Sequence, residues 1–231
     1  MSHLFSAQHR LPLVTAHSGC EGTPANSLRY LRAALDAGAE VAEVDVRLSG
    51  AGRPILMHDE PPVGVELPGT VVSLESALIF IASERIALNL DLKDNACVEP
   101  VGQLVRSIGL TGRVIVSGCG PARAHLMREF APEIPVLLNV DPPLAGVLDL
   151  DTNDYATEIC RVALEHHCSG LNLDYRVCRP ALVDLARRRY LPVSVWTVDD
   201  DSGLREMIAM GVHSITTNYP RRLVELLKDC G

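Results

Sequence analysis

Eight short apolar runs alternate with amphipathic segments along almost the whole of this 231-residue chain. Each run has the length and the apolar content of a buried strand, and each segment between runs has the period of a helix. Strands that alternate with helices pair in parallel through right-handed crossovers. The predicted strands cover residues 11–17, 40–48, 85–92, 113–118, 135–140, 170–175, 192–198 and 213–218.

The number of these units selects the architecture. Doubly wound sheets usually end at five or six strands, whereas eight βα units close into a barrel. The chain length suits one such domain. We therefore predict an α/β fold, a (β/α)8 TIM barrel, as a single domain over residues 1–231. Gly38, Gly109 and Gly211 stand where helix C-caps are expected.

One run, at residues 53–59, interrupts this alternation. It follows the second strand after only "SGAG", which is too short for a helical crossover. We predict a hairpin that adds an extra strand after strand 2. A turn centred between Gly50 and Ala51 places His58 opposite Glu43.

Polar side chains end the first three predicted barrel strands. His17 ends the first, Glu43 and Asp45 share one face of the second, and Asp91 and Lys93 share one face of the third. Functional groups of such barrels lie at the carboxyl ends of the strands. Three carboxylates at one mouth repel one another unless a cation neutralises them, and an all-oxygen cluster favours Mg²⁺ or Ca²⁺ over zinc.

Two histidines, His17 and His58, are expected beside these carboxylates. An imidazole can hold or release a proton near neutral pH, so the pair suits general acid–base catalysis. Each signal alone has an ordinary structural explanation: a histidine that only forms a hydrogen bond, a solvated strand rim, or a local Asp91–Lys93 ion pair. Their convergence on adjacent strands favours a functional site.

Composition limits the partners. The net charge of −8 argues against general affinity for nucleic acid or anionic membrane surfaces. No run is long enough to span a membrane, and the start of the chain lacks the pattern of a secretory signal. The seven cysteines are odd in number and scattered, which is typical of reduced thiols. We expect a cytoplasmic protein that acts on a small molecule and has no stable membrane insertion.

A series of short motifs resembles the glycerophosphodiester phosphodiesterase family, within the phospholipase-C-like phosphodiesterase barrels. The family pattern runs H-R-G, P-E-N-T, E-x-D, H-D, E-x-K, W-T and T-D-x-P. This chain has, in the same order, "HSG" (17–19), "PANS" (24–27), "EVD" (43–45), "HD" (58–59), "DLK" (91–93), "WT" (196–197) and "TNYP" (217–220). No single motif is specific, but the ordered set covers nearly the whole chain.

The resemblance implies a role for each matching residue. It makes His17 and His58 the acid–base pair, and Glu43, Asp45 and Asp91 the ligands of a divalent metal. Asp91 replaces a family glutamate and is one methylene shorter. Residues expected to bind substrate are Lys93, Trp196 and Ser18.

The chain also departs from the family pattern. Ser18 stands where the family has a phosphate-contacting arginine, Ala25 where it has the P-E-N-T glutamate, and Asn218 where it has the last aspartate. The stretch from His58 to Asp91 is short, so we predict a reduced capping insertion.

These features predict a metal-dependent phosphodiesterase that hydrolyses a glycerophosphodiester-like substrate to an alcohol and a phosphomonoester. A binding protein for a phosphorylated ligand and a sphingomyelinase-D-like phospholipase remain alternatives. An aldolase or lyase is disfavoured, because "TTNYP" lacks the glycines of a phosphate loop. The alcohol groups, the metal, the acid and base assignments and the oligomeric state stay open.

Overall fold

The first and last strands of the chain pair with each other and close a barrel. The computed structural model describes residues 11–62, 69–140 and 153–229. Within these ranges one sheet contains nine strands: β1 (Leu13–Ala16), β2 (Val41–Leu48), β3 (Pro54–Leu56), β4 (Ala87–Leu92), β5 (Val114–Cys119), β6 (Val136–Val140), β7 (Gly170–Asp174), β8 (Val193–Trp196) and β9 (Ser214–Thr217).

Eight of these strands form a closed parallel ring. β1 pairs with β9 on one side and with β2 on the other, and the order continues from β2 through β4 to β9. β3 lies outside the ring as an antiparallel partner of β2. The predicted TIM barrel with an extra strand is confirmed, and each predicted barrel strand agrees with the observed one to within two residues at either end.

Helices follow the ring strands around the outside. Within the described ranges they are α1 (Leu28–Asp36), α2 (Leu74–Ala82), α3 (Val98–Ile108), α4 (Pro121–Phe130), α5 (Asn153–Glu165), α6 (Pro180–Arg188), α7 (Asp201–Met210) and α8 (Pro220–Lys228). Short 3-10 turns occupy Cys20–Gly22, Asn95–Cys97, Thr111–Arg113 and Tyr175–Val177. Gly109 and Gly211 end α3 and α7 in the left-handed conformation, as the sequence predicts.

The hydrophobic core lies between the strands and the helices, not inside the ring. On β4, for example, Leu88, Leu90 and Leu92 are fully buried in the apolar cluster that contains the helix side chains. Because neighbouring residues of a strand face opposite sides, Asn89 and Asp91 point into the lumen. The lumen is therefore polar at its carboxyl end, where it opens as a cavity, whereas apolar residues such as Leu13, Val41 and Leu137 line its amino end.

The hairpin between β2 and β3 forms as predicted, but its predicted register is wrong by one residue. Observed pairs, such as Val46 with Leu56, sum to 102, and the ladder ends before His58. The loop has three residues, closed by hydrogen bonds between Ser49 and Arg53, with Gly52 at a φ of 73°. A left-handed third loop residue is typical of three-residue hairpins. The observed turn is centred on Ala51, whereas the predicted one was centred half a residue earlier, between Gly50 and Ala51.

The structure also bears on the expectations for the capping insertion, for membrane spans and for the cysteines. The reduced capping insertion falls largely on residues 63–68, which lie outside the described residues. No helix in the described ranges is long and apolar enough to cross a membrane. The six cysteines in these ranges are free and buried, and burial raises the pKa of the Cys119 thiol to about 12, which disfavours the reactive thiolate.

A buried tyrosine ties the first helix to the mouth of the barrel. Tyr30 lies on α1, is fully buried, and its hydroxyl is 2.7 Å from the carbonyl oxygens of Ala16 and of Glu43. The hydroxyl has one proton, which the two acceptors share. The contact joins the last residue of β1 to the backbone of β2 at Glu43, one of the polar residues that line the cavity.

We expect Tyr30→Phe to lower the free energy of unfolding by about 1–3 kcal/mol, because two buried carbonyls lose their hydroxyl donor. Urea unfolding followed by circular dichroism measures this. Tyr190→Phe is the matched control, since Tyr190 is 85% exposed. Equal stabilities for the two variants would contradict the proposed tie.

Candidate active site

One cavity at the carboxyl end of the barrel collects most of the residues singled out from the sequence. It has a volume of about 310 Å³. Seven of the eight predicted site residues line it: His17, Glu43, Asp45, His58, Asp91, Lys93 and Trp196. The eighth, Ser18, is buried beside it.

Strand register brings the three carboxylates together. Asp45 on β2 is paired directly with Asp91 on β4, and Glu43 lies two residues before Asp45 on the same face. One oxygen of each carboxylate lies within 4.8 Å of an oxygen of the other two. An all-oxygen set at this spacing suits a hard divalent cation, and the predicted metal ligands therefore do converge.

The surroundings of Glu43 disfavour the charged form of its carboxyl. Burial raises the pKa of its carboxyl well above 4.5, and the neighbouring charges of Asp45 and Asp91 raise it further. A hydrogen bond from the Ser18 backbone N–H to Glu43 Oε2, at 3.1 Å, acts in the opposite direction. The cluster thus favours a bound cation, which would remove the like-charge repulsion.

Lys93 supplies positive charge inside the same cluster. Its Nζ lies 2.7 Å from Asp45 Oδ1 and 2.6 Å from Asp91 Oδ2. Burial alone would lower the pKa of the ammonium, but the two carboxylates outweigh burial and the pKa is raised. Lys93 therefore stays charged at neutral pH.

One oxygen of the cluster is buried and has no hydrogen-bond partner among the described residues. This atom is Asp91 Oδ1, since the Lys93 ammonium binds the other oxygen of the same carboxylate. A buried carboxylate oxygen without a donor is costly unless a cation binds it. The donor set of Glu43, Asp45 and Asp91 consequently fits Mg²⁺ or Ca²⁺.

Asn26 holds Asp45 in place from the loop before α1. Its Nδ2 donates to Asp45 Oδ2 at 2.8 Å, and its Oδ1 accepts from the Asp45 backbone N–H at 3.0 Å. Asn26 adopts a left-handed conformation, with φ at 54°, which asparagine tolerates better than most residues. Its motif "PANS" was recognised in the sequence, but this supporting role was not predicted.

Ser18 is buried and makes hydrogen bonds to Asn26 and Glu43. It is 7% exposed, and its Oγ accepts a hydrogen bond from the Asn26 backbone N–H at 2.9 Å. The residue is absent from the lining of the described cavity. Its hydroxyl is thus used within the protein, and contact between Ser18 and substrate stays a prediction.

Arg123 on α4 holds the end of β4 through hydrogen bonds. This role was not predicted from the sequence. The guanidinium donates to the carbonyl oxygens of Leu92 and Gly118, and to that of Lys93 at 3.3 Å. Gly118 has a φ of 70°, and a Cβ there would collide with Asp91 Oδ1. No residue pattern marks such a role, because the contact joins elements about 30 positions apart.

The two histidines differ in their surroundings. His17 follows β1, is half-buried, and its Nδ1 lies 2.9 Å from Asn218 Oδ1 beyond β9. His58 lies on the rim with its side chain 70% exposed, and its Nδ1 lies 2.9 Å from Asp59 Oδ1. This hydrogen bond lowers the pKa of Asp59. Both rings line the same cavity, so the site combines an anchored imidazole with a solvent-accessible one.

The far wall of the cavity is polar and uncharged. Trp196 ends β8, and its Nε1 is buried without a partner among the described residues. Ser117 Oγ and Asn89 Oδ1, which belong to residues that line the same cavity, are likewise buried without a hydrogen-bond partner among the described residues. Free donors and acceptors in one cavity suit a ligand with several polar groups.

The described residues form a closed (β/α)8 barrel, and carboxylates, a lysine and imidazoles line the cavity at its carboxyl end, where barrel enzymes have their active sites. Two family models, both described as glycerophosphoryl diester phosphodiesterase family, match residues 17–69 and 192–221. These two segments contain six of the seven motifs named above, so the resemblance to this family is confirmed.

Similar proteins span the whole length of the chain. A glycerophosphodiester phosphodiesterase of Caldanaerobacter subterraneus subsp. tengcongensis is 22% identical over 95% of this chain and 99% of its own. A crystal structure of a glycerophosphodiester phosphodiesterase from Parabacteroides distasonis superposes with a TM-score of 0.77 at 23% identity, over 95% of this chain and 98% of that one.

The solved structure of a third similar protein contains a ligand. The structure of an Oleispira antarctica phosphodiesterase in complex with the product sn-glycerol-3-phosphate gives a TM-score of 0.77 at 21% identity. It covers 96% of this chain and 99% of the other chain. These two structures show that the fold is shared from end to end.

We expect Glu43→Gln to stabilise the metal-free protein by about 0.5–2 kcal/mol at pH 8, as removal of a functional but strained group often does. A carboxyl with a raised folded-state pKa binds more protons when folded, so its stability contribution falls as pH rises above about 4.5. The gain should therefore be small at pH 4.5 and increase with pH.

Thermal unfolding in EDTA at several pH values measures this difference. Glu40→Gln is the matched control, because Glu40 also accepts a backbone N–H, that of Val14, but is exposed and outside the cluster. A Glu43→Gln variant that is less stable than the parent at pH 8 would contradict the assigned cause.

Proposed function

We propose that this protein is a divalent-cation-dependent phosphodiesterase that hydrolyses glycerophosphodiester-like substrates to an alcohol and a phosphomonoester. The observation that carries the proposal is the convergence of two histidines, three carboxylates and Lys93 on one cavity in a chain that resembles this family. Relatives are named as glycerophosphodiester phosphodiesterases, which are phosphoric diester hydrolases. The product complex of the Oleispira antarctica protein supports a ligand of this kind.

Glu43, Asp45 and Asp91 would hold the cation. A divalent ion bound there supplies positive charge that polarises the phosphoryl group and offsets charge in the transition state. The buried Asp91 Oδ1, which has no donor among the described residues, supports this assignment. Asn26 and the Ser18 N–H orient Asp45 and Glu43 before the ion binds.

Lys93 neutralises the phosphate in this proposal. Its charged Nζ lies between Asp45 and Asp91, at the edge of the cavity where a phosphate would approach the cluster. Lysine acts there as a point charge on a non-bridging oxygen. This role has extra weight because Ser18 stands at the position of the family's arginine.

His17 and His58 transfer the protons. Hydrolysis requires one group to accept a proton from the attacking hydroxyl or water and another to protonate the leaving alkoxide. His17 is anchored through Nδ1, which leaves Nε2 available to the cavity. His58 lies on the exposed rim and can exchange its proton with solvent.

The neutral wall opposite the carboxylates would receive the alcohol portion of the substrate. Trp196 offers an apolar face together with an Nε1–H that has no acceptor in the described part of the chain. The net charge of −8 disfavours nucleic acid as a substrate. We infer a small-molecule phosphodiester, and a cytoplasmic location remains an expectation from the sequence.

We expect hydrolysis of glycerophosphocholine or glycerophosphoethanolamine in the presence of Mg²⁺, Mn²⁺ or Ca²⁺, and none after EDTA treatment. A substrate panel that also includes lysophospholipids and bis-nitrophenyl phosphate measures this. His17→Ala and His58→Ala should each abolish turnover but keep the cation affinity, since neither is a proposed ligand, whereas Asp45→Asn should weaken both.

The same panel separates the alternatives. Turnover confined to lysophospholipids would favour the sphingomyelinase-D-like reading. No turnover with any member, together with thermal stabilisation by glycerol phosphate, would favour the binding protein. Metal-independent turnover would contradict the assigned role of the carboxylate cluster.

We expect Lys93→Ala to lower kcat/KM by at least about 10²-fold, the scale for deletion of one preorganised charge-stabilising group. Steady-state kinetics at saturating cation measure it. Lys228→Ala is the control, because Lys228 ends α8 on the outside of the barrel. A change below threefold would show that phosphate charge is neutralised elsewhere.

A further inference from the structure

We propose that Asp199 is a positioning residue that sets which nitrogen of the His17 ring carries the proton, and that it acts through the side-chain amide of Asn218. The inference rests on the proposed function in assigning proton transfer to His17. The arrangement itself is independent of that function and can be observed without substrate.

Asp199 accepts hydrogen bonds from the residues that end β9. Its Oδ1 accepts from the Asn218 backbone N–H at 2.8 Å and from Thr217 Oγ1 at 3.2 Å. Its Oδ2 accepts from Asn218 Nδ2 at 2.7 Å. The carboxylate therefore holds both the backbone and the side chain of Asn218.

These contacts determine the orientation of the Asn218 amide. An ionised carboxylate can only accept hydrogen bonds, so the NH₂ group of Asn218 must face Asp199. The carbonyl oxygen Oδ1 is then the atom that faces His17, 2.9 Å from Nδ1. A carbonyl oxygen can only accept, so Nδ1 of His17 must be the protonated nitrogen of the neutral ring.

The consequence for catalysis lies at the other nitrogen. With the proton on Nδ1, Nε2 has a free lone pair and can accept a proton from a nucleophile in the cavity. His17 is thus prepared for the role of general base. The opposite tautomer would present an N–H group to the cavity and could not take that role.

Backbone hydrogen bonds hold the strand ends near His17 in place, so the side-chain amide of Asn218 is the group that can rotate. The His17 backbone N–H donates to the carbonyl oxygen of Thr217 at 2.9 Å, which fixes the ends of β1 and β9 together. The next residue, Asp200, has a different task, because it caps α7 by accepting from the Gly203 N–H at 2.9 Å. Two adjacent aspartates on one loop therefore serve separate functions.

The substitution Asp199→Asn tests this directly. The backbone N–H of Asn218 cannot reorient, so it keeps the carbonyl oxygen of the introduced amide as its acceptor. The NH₂ group of that amide then faces the side chain of Asn218. The Asn218 amide then turns its oxygen toward position 199 and its NH₂ group toward His17. The proton of His17 moves to Nε2, so the variant inverts the tautomer without removing a side chain from the cavity.

Ring ¹⁵N chemical shifts of His17 report the tautomer, and the signals are assigned by their loss in His17→Ala. We expect the Nδ1–H form in the parent protein and the Nε2–H form in Asp199→Asn. Turnover should fall roughly 10²- to 10⁴-fold, the scale known for a misoriented catalytic histidine. Asp200→Asn, which removes the same charge one residue away, should retain the parent tautomer and activity within about threefold.

A rescue variant separates positioning from general damage. In Asp199→Asn with Asn218→Asp, the amide at position 199 donates to the new carboxylate, whose other oxygen accepts from His17 Nδ1. The double variant should recover the Nδ1–H form and most of the turnover, whereas Asn218→Asp alone places two carboxylates face to face and should lose turnover.

Several results would overturn the inference. One is the observation that His17 in the parent protein carries its proton on Nε2. This result is decisive even if Asp199→Asn fails to fold. Others are an unchanged tautomer in folded Asp199→Asn, or an inverted tautomer with unchanged turnover. If the parent hydrolyses no substrate in the panel, the proposed function fails, but the tautomers of the parent and the variants still decide the role of Asp199.

Discussion

Closure of the parallel ring is the constraint on which the other features depend. Because β1 pairs with both β2 and β9, every second side chain of each ring strand must share one narrow lumen. On β2 and β4 those side chains include three carboxylates, which strand pairing brings to within 4.8 Å of one another. The protein therefore concentrates negative charge at the point where its strands end.

Groups around the cluster reduce this repulsion without removing it. Lys93 neutralises part of the charge, the Ser18 N–H donates to Glu43, and Asn26 binds Asp45. Burial, together with the charges of Asp45 and Asp91, nevertheless keeps the pKa of Glu43 raised. The apolar layer between strands and helices supplies the stability that tolerates a strained mouth, as is common where function requires unfavourable charge.

Most of the fold and the set of residues that meet at the mouth could be predicted from sequence, because both depend on local alternation. A period of two in "EVDV" and "NLDL" shows which side chains face one way, and parallel pairing then places Glu43, Asp45 and Asp91 at the same end. The hairpin register was wrong by one residue because it depends on the left-handed conformation of Gly52, which the residue pattern did not specify. The role expected for Ser18 remains a prediction, since its hydroxyl binds Asn26.

The sequence by itself thus determined the barrel, its extra strand and the set of groups at its mouth. The tertiary structure alone decided how those groups are held: Arg123 across the ends of β4 and β5, and Asp199 through Asn218 to His17. The physical reason is distance along the chain. His17 and Asn218 are 201 positions apart, and hydrogen bonds between such residues exist only once the ring has closed.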